Sequence, residues 1–137
     1  MIDPDDGDVT RAPRRLVLRN RSDAAAKARQ AARRFVRRLA PPVDDRAAQD
    51  VDLVVTELVT NAVRHARGAT CVLSLDARPD AVEVTVLDSD PEPPRPRAPD
   101  FSGRRGGFGW PMIRRLAGKV TVVLVPNGKA ICALVPR

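Results

Sequence analysis

The spacing of hydrophobic residues along the chain predicts where helices and strands form. Apolar residues recur every three or four positions over 24–39, and again from Asp44 or Asp45 onward for about four turns. This spacing is typical of a helix with one buried face. Ser22 stands before the first helix and is its expected N-cap. The valines of the second helix favour a strand by propensity, but the regular helical period outweighs that weak preference.

Shorter apolar runs predict five strands, and a third helix is predicted over Phe108–Ala117. The strands are expected at Leu16–Leu18, Cys71–Ala77, Ala81–Leu87, Val120–Val125 and Ala130–Val135. An Asn-Gly pair at 127–128 lies between the last two runs and is a strong hairpin signal. The order β-α-α-β-β-loop-α-β-β predicts an α/β (α+β) two-layer sandwich. Its mixed, largely antiparallel sheet would be covered on one face by three helices.

The polar segments divide the chain into a tail, one domain and a long internal loop. Residues 1–13 are acidic and polar, and we expect a flexible tail there. Residues 14–137 are sufficient for a single domain with its own core. Residues 88–107 contain five prolines, which predicts a loop that either carries function or is disordered. We expect residues 89–105 to be mobile without a ligand and to close over one.

Composition and charge narrow the classes of function. The formal net charge of +7 permits nucleic-acid binding, but the arginines are spread along the helices and one loop. The chain has no tyrosine, three phenylalanines and one tryptophan, which gives few aromatic surfaces for stacking bases. A basic nucleic-acid binder therefore remains the less favoured alternative.

Several other classes of protein do not fit the cysteines, the single histidine and the apolar runs. Cys71 and Cys132 lie within strand-like apolar runs and are expected to be small buried residues. Two cysteines and one histidine do not provide the spacing of a zinc site. No apolar run reaches the roughly 18–20 residues that span a bilayer, and the N-terminus lacks the pattern of a secretory signal. We therefore expect a cytoplasmic protein without membrane contact.

The second helix contains four polar residues suited to a nucleotide site. Glu57 and Asn61 are four residues apart, so they lie one above the other beside the apolar face. A carboxylate and a carboxamide in this position could hold a hydrated Mg²⁺, which prefers oxygen ligands and often bridges to phosphates. Arg64 and His65 follow one turn later, where cations could contact phosphate oxygens. The spacing alone also fits an ordinary solvated helix edge.

Two further segments contain candidate ligand-binding residues. Gly106, Gly107 and Gly109 precede the third helix, where flexible backbone N–H groups and the helix N-terminus favour an anion. Asp88 ends the third predicted strand, and its carboxylate could accept a hydrogen bond from an exocyclic amine such as that of adenine. Taken singly, the glycines also fit a hinge and the aspartate also fits an ordinary turn.

Three segments, in this order and at these separations, resemble the GHKL ATPases, whose architecture is the Bergerat fold. ELVTNAVRHA resembles the N box of that family, VTVLDSD its first glycine box, and GGFGWPMIRRLA its second. The resemblance covers roughly residues 15–136. A chain of this length is most similar to the stand-alone actinobacterial anti-sigma-factor serine/threonine kinases.

The resemblance implies a role for each matching residue. Asn61 matches the Mg²⁺ ligand, Glu57 the general base, and Asp88 the residue that binds the adenine amine. Gly107 and Gly109 match glycines that approach the phosphates, and Arg64 matches a basic phosphate contact. Phosphoryl transfer depends mainly on positioning and charge neutralisation, so such a short set of residues is sufficient.

The resemblance also implies partners and leaves alternatives open. ATP and Mg²⁺ are the expected cofactors, and a sigma factor, an antagonist protein or both are the expected partners in transcription regulation. A homodimer is also compatible with it. The first glycine box here reads Asp88-Ser89-Asp90-Pro91-Glu92 and lacks both of the usual glycines. A catalytically inactive module that binds ATP or a partner is therefore the main alternative to an active kinase.

Overall fold

Two long helices form where apolar residues recur at helical spacing. The structure is a computed structural model that describes residues 13–65, 68–89 and 109–137. In it, α1 spans Ala24–Arg37 and α2 spans Asp45–His65. Both helices bury the predicted face and expose their charged residues. A third, shorter helix, α3, spans Gly109–Leu116 and also packs on α2.

The five strands form one antiparallel sheet. They are β1 (Arg14–Arg19), β2 (Thr70–Ala77), β3 (Ala81–Asp88), β4 (Lys119–Val125) and β5 (Gly128–Pro136). Their order across the sheet is β1-β2-β3-β5-β4, and all four pairings are antiparallel. The three helices and this sheet form the predicted two-layer sandwich, which confirms the fold class.

The core lies between the sheet and the helices. On β2, β3 and β5 the buried side chains alternate with half-buried ones, because successive side chains of a strand point to opposite faces. The register joins the buried residues across neighbouring strands, since Leu73 pairs with Val86 and Val86 with Ile131. Helix α2 lies against the middle of this layer through Leu58 and its buried valines. The central strands therefore hold α2 in place.

The start of α1 differs from the prediction. Asp23 is the N-cap residue instead of Ser22, and no side chain caps the helix there. The backbone of Asp23 is already in the helical region, and the N–H of Ala24 bonds the Arg21 carbonyl in a preceding turn. A side-chain cap requires a non-helical residue at this position, so neither polar side chain performs it. At α2, by contrast, Asp44 Oδ1 accepts a hydrogen bond from the N–H of Ala47 at 2.8 Å.

The turn between β4 and β5 is tighter than the Asn-Gly pair suggested. Only Pro126 and Asn127 lie outside the strands, and β5 already begins at Gly128 instead of Ala130. Proline fixes a negative φ at the first turn position, and Asn127 has φ 63°, which asparagine tolerates. Gly128 is needed for a different reason. A Cβ at Gly128 would lie 2.0 Å from the carbonyl oxygen of Asp88.

We predict that Gly128→Ala destabilises the fold by at least about 2 kcal/mol, because β3 and β5 must separate to accept the methyl group. The matched control is Gly118→Ala, where the nearest atom to an added Cβ is Pro136 Cγ at 3.7 Å. That variant should remain within about 0.5 kcal/mol of wild type. Urea unfolding of both variants measures the difference. Equal stabilities would show that the β3–β5 approach is not as close as described.

Candidate functional site

Glu57 and Asn61 lie one turn apart at the edge of the buried face of α2. Both are half-buried, and they alternate with the fully buried Leu58 and Ala62. Their side chains are thus held near the core without being enclosed by it. Arg64 and His65 follow in the last turn of α2 and are exposed. This places a carboxylate, a carboxamide and two basic residues along the C-terminal half of one helix.

The protonation equilibrium of Glu57 is shifted by its position. Partial burial raises the pKa of the Glu57 carboxyl above its ordinary value, and the nearby positive charge of Arg64 opposes that shift. A carboxylate with a raised pKa holds a proton more readily than an exposed glutamate does. This property suits a group that must accept a proton near neutral pH.

We predict that Glu57→Gln stabilises the folded protein near neutral pH. Because the pKa of Glu57 is raised on folding, the folded state favours its neutral form. The contribution of Glu57 to the free energy of unfolding is fully favourable below the ordinary pKa of a glutamate. It is lost as the pH rises through the pKa that Glu57 has in the folded state. The stability of the variant relative to wild type should therefore increase with pH across that interval and then level off. Urea titrations between pH 4 and 8 measure this trend, and a constant difference would contradict it.

Asp88 is a buried charged residue at the end of β3. Its carboxylate accepts a hydrogen bond from Lys129 Nζ at 3.1 Å, and the register pairs the two residues directly across β3 and β5. The two side chains are about equally inaccessible, with Lys129 5% exposed and Asp88 7% exposed. The interpretation of Asp88 as an ordinary turn aspartate is therefore wrong, because that residue would be solvated.

Gly68, which precedes β2, lies at the same end of the sheet. A Cβ at Gly68 would lie 2.7 Å from Ser89 Oγ, so the chain that follows α2 lies against the residue next to Asp88. The Cys71 thiol at the start of β2 is also close, since its pKa is raised by burial and further by the charge of Asp88. Gly68 and the start of β2 therefore lie next to the end of β3.

A polar atom near Asp88 lacks a partner within the described residues. Ser89 Oγ is buried and makes no hydrogen bond to any part of the chain that the structure describes. A buried hydroxyl without a partner is unfavourable unless a ligand, water or other residue satisfies it. Because Asp88 and Ser89 are consecutive, a buried charged side chain and a buried hydroxyl follow each other at the end of β3.

The candidate metal ligands are few, as they are in sites where a nucleotide holds much of the cation. Within residues 13–65, 68–89 and 109–137, no three His, Cys, Asp or Glu side chains come together to hold an ion. Mg²⁺ in nucleotide sites commonly uses one or two protein oxygens, with phosphates and waters completing its shell. Asn61, with Glu57 one turn earlier on α2, would be a donor set of that size.

Some predicted site residues lie outside the described part of the chain. Gly106 and Gly107 belong to this group, as does nearly all of the expected mobile loop 89–105. Gly109 is described as the first residue of α3, which is consistent with a glycine segment leading into a helix. The roles assigned to these glycines stay predictions.

Lys129 is the residue that sequence reasoning missed. It was assigned to the turn, although it stands two residues before Ile131 in the alternating pattern of β5. Two-residue periodicity places position 129 on the same face as Ile131, Ala133 and Val135. A lysine in phase with core residues was the signal that could have revealed it.

The two cysteines differ in how far they are buried. Cys71 is buried as expected, Cys132 is only half-buried, and both are free thiols. Burial raises the pKa of the Cys132 thiol, and Cys132 Sγ donates a hydrogen bond to Glu83 at 3.1 Å. None of the helices in the described segments has the length and apolar character needed to cross a membrane.

Comparisons with known proteins identify the family of this chain. A family model described as the histidine kinase-like ATPase domain matches residues 18–134. The chain belongs to this family, and the match confirms the resemblance drawn from the three motifs.

A solved structure shares the fold. It is the crystal structure of the RsbU and RsbW domains of Rv1364c from Mycobacterium tuberculosis, with a TM-score of 0.68 and 18% sequence identity. The match covers 92% of this chain and 32% of that one, so this chain spans about a third of the matched length. A search of curated proteins finds no match.

Proposed function

We propose that this chain binds Mg·ATP and acts as a regulatory protein kinase of the anti-sigma-factor type. It would phosphorylate a serine on an antagonist protein, sequester a sigma factor, or do both. The observation that supports this most strongly is the position of Glu57 and Asn61, half-buried one turn apart at the edge of the core-facing side of α2. Membership in a family of ATPase domains, together with this placement, favours nucleotide binding over a solvated helix edge.

In this proposal the residues of α2 act on the phosphates. Asn61 would hold the Mg²⁺ through its side-chain oxygen, and Arg64 would contact phosphate oxygens. The Mg²⁺ held there would supply positive charge that offsets the negative charge of the phosphates. Glu57 would accept the proton of the serine hydroxyl while the serine oxygen bonds to the γ-phosphorus. Its raised pKa favours this role.

Transfer of labelled γ-phosphate from ATP to a serine-containing antagonist protein tests the proposed activity. We expect Glu57→Gln to lower the transfer rate by about a hundredfold or more while Mg·ATP still binds, because general-base catalysis contributes on that order. Asp45→Asn is the matched control, since Asp45 is an exposed carboxylate on the first turn of the same helix. Equal rates in wild type and Glu57→Gln would contradict the role of Glu57.

The altered first glycine box supports a second candidate function. Without the usual glycines in Asp88-Ser89-Asp90-Pro91-Glu92, the chain could bind ATP or a partner and transfer no phosphate. The same assay separates the two candidates. Wild-type protein that binds Mg·ATP and its partner but transfers no label would favour the binding module.

A further inference from the structure

Lys129 is difficult to explain as a stabilising residue. The other buried residues on its face of β5 are Ile131, Ala133 and Val135, so an apolar side chain would extend the core. Burying an ammonium group and a carboxylate together costs desolvation that their attraction barely repays. Among the residues that the structure describes, Asp88 and Lys129 are the two buried charged side chains, and they are paired.

The pair presents a hydrogen-bond acceptor and a donor next to each other. Lys129 Nζ and Asp88 Oδ1 are 3.1 Å apart at the end of β3. An ammonium group has three donors and a carboxylate has about four acceptor sites. Each group can therefore take part in more hydrogen bonds than the one that joins them.

The edge of adenine has the complementary pattern. Its exocyclic amine is a donor, and the adjacent ring nitrogen N1 is an acceptor. Building on the proposed function, in which Asp88 binds the amine, we propose that Lys129 is a second base-reading residue that donates to N1 of adenine. Hypoxanthine presents the reverse pattern, with an oxygen acceptor at position 6 and an N1–H donor. The order of Asp88 and Lys129 would thus select adenine.

This inference is tested with nucleotides that each lack one of the two hydrogen-bonding groups on this edge of adenine. Wild-type protein is titrated with Mg·ATP, with Mg·1-deaza-ATP, which lacks N1, and with the purine riboside triphosphate, which lacks the amine. Removing a hydrogen bond to a charged group should weaken binding of either analogue by roughly tenfold or more. ITP should bind still more weakly, because both contacts would be mismatched.

The variant Lys129→Met identifies the residue responsible. It keeps the length and removes the donor, so it should bind ATP and 1-deaza-ATP equally while retaining the loss for the purine riboside triphosphate. A lysine with only a structural role would leave the ATP to 1-deaza-ATP ratio unchanged. If Lys129→Met does not fold, the ratio of ATP to 1-deaza-ATP affinity in the wild-type protein still shows whether N1 is recognised.

The possible failures are distinguishable. If wild-type protein binds ATP and 1-deaza-ATP equally, or Lys129→Met keeps the full N1 discrimination, the inference is wrong and the proposed function stands. If wild-type protein binds no Mg·ATP, both fail together.

Discussion

Replacing Asn61 by alanine is expected to abolish the magnesium-dependent part of ATP binding. The variant removes the proposed oxygen ligand from a half-buried position on α2, and the described residues form no cluster of acidic ligands. We expect affinity for Mg·ATP to fall on the order of a hundredfold, and affinity for metal-free ATP to change little. Trp110, the single tryptophan of the chain, lies next to Gly109 on α3 and provides a fluorescence signal for the titration.

Gln49→Ala is the control for Asn61→Ala. Gln49 is an exposed carboxamide on the same helix, three turns earlier, so its loss should leave nucleotide affinity unchanged. Thermal unfolding of both variants verifies that the helix is intact. Equal Mg·ATP affinity in wild type and Asn61→Ala would remove Asn61 from the site.

The variant Asp88→Leu is expected to cost about 3–5 kcal/mol of stability, because it leaves the ammonium group of Lys129 buried without its counter-charge. In a domain of this size, that loss corresponds to a decrease in Tm of about 10 °C or more. The double variant Asp88→Leu/Lys129→Met replaces both charges with apolar side chains and should recover most of the loss. Differential scanning calorimetry measures both values.

The comparison of single and double variants separates a charge effect from a packing effect. If the double variant is as unstable as Asp88→Leu, the cost comes from the shape of the leucine and not from the unpaired lysine. If Asp88→Leu alone loses less than about 1 kcal/mol, the ion pair is not buried as described.

Most of the fold could be predicted because the hydrophobic periods are regular. Over α2 the helical period was sustained for several turns, and it outweighed the strand preference of the valines, as the observed helix Asp45–His65 shows. The alternation in β3 placed the strand within one residue of its observed end at Asp88. Such patterns show directly which side chains are buried, and the burial of apolar side chains is what drives folding.

The details that failed depend on local backbone geometry. Ser22 had the right chemistry for an N-cap, but the preceding turn makes the backbone helical already at Asp23. The Asn-Gly pair did mark the hairpin, yet Pro126 occupies the first turn position and moves Gly128 into the strand. Residue preference alone does not specify which of two adjacent residues adopts a given φ and ψ.

The candidate site was predictable on α2 and less so at β3. Glu57 and Asn61 follow from helical spacing beside an apolar face, which needs no knowledge of the sheet. The pairing of Asp88 with Lys129 depends on β3 and β5 being neighbours although about 40 residues separate them in sequence. That strand order is a tertiary property, so the lysine was assigned to a turn.

Isothermal titration of the purified wild-type chain with Mg·ATP tests the central claim most directly. We predict saturable binding of one nucleotide per chain, weakened when EDTA removes the metal. Titration with no heat of binding, or with an affinity that Mg²⁺ does not change, would contradict a Mg·ATP site built on Glu57, Asn61 and Asp88.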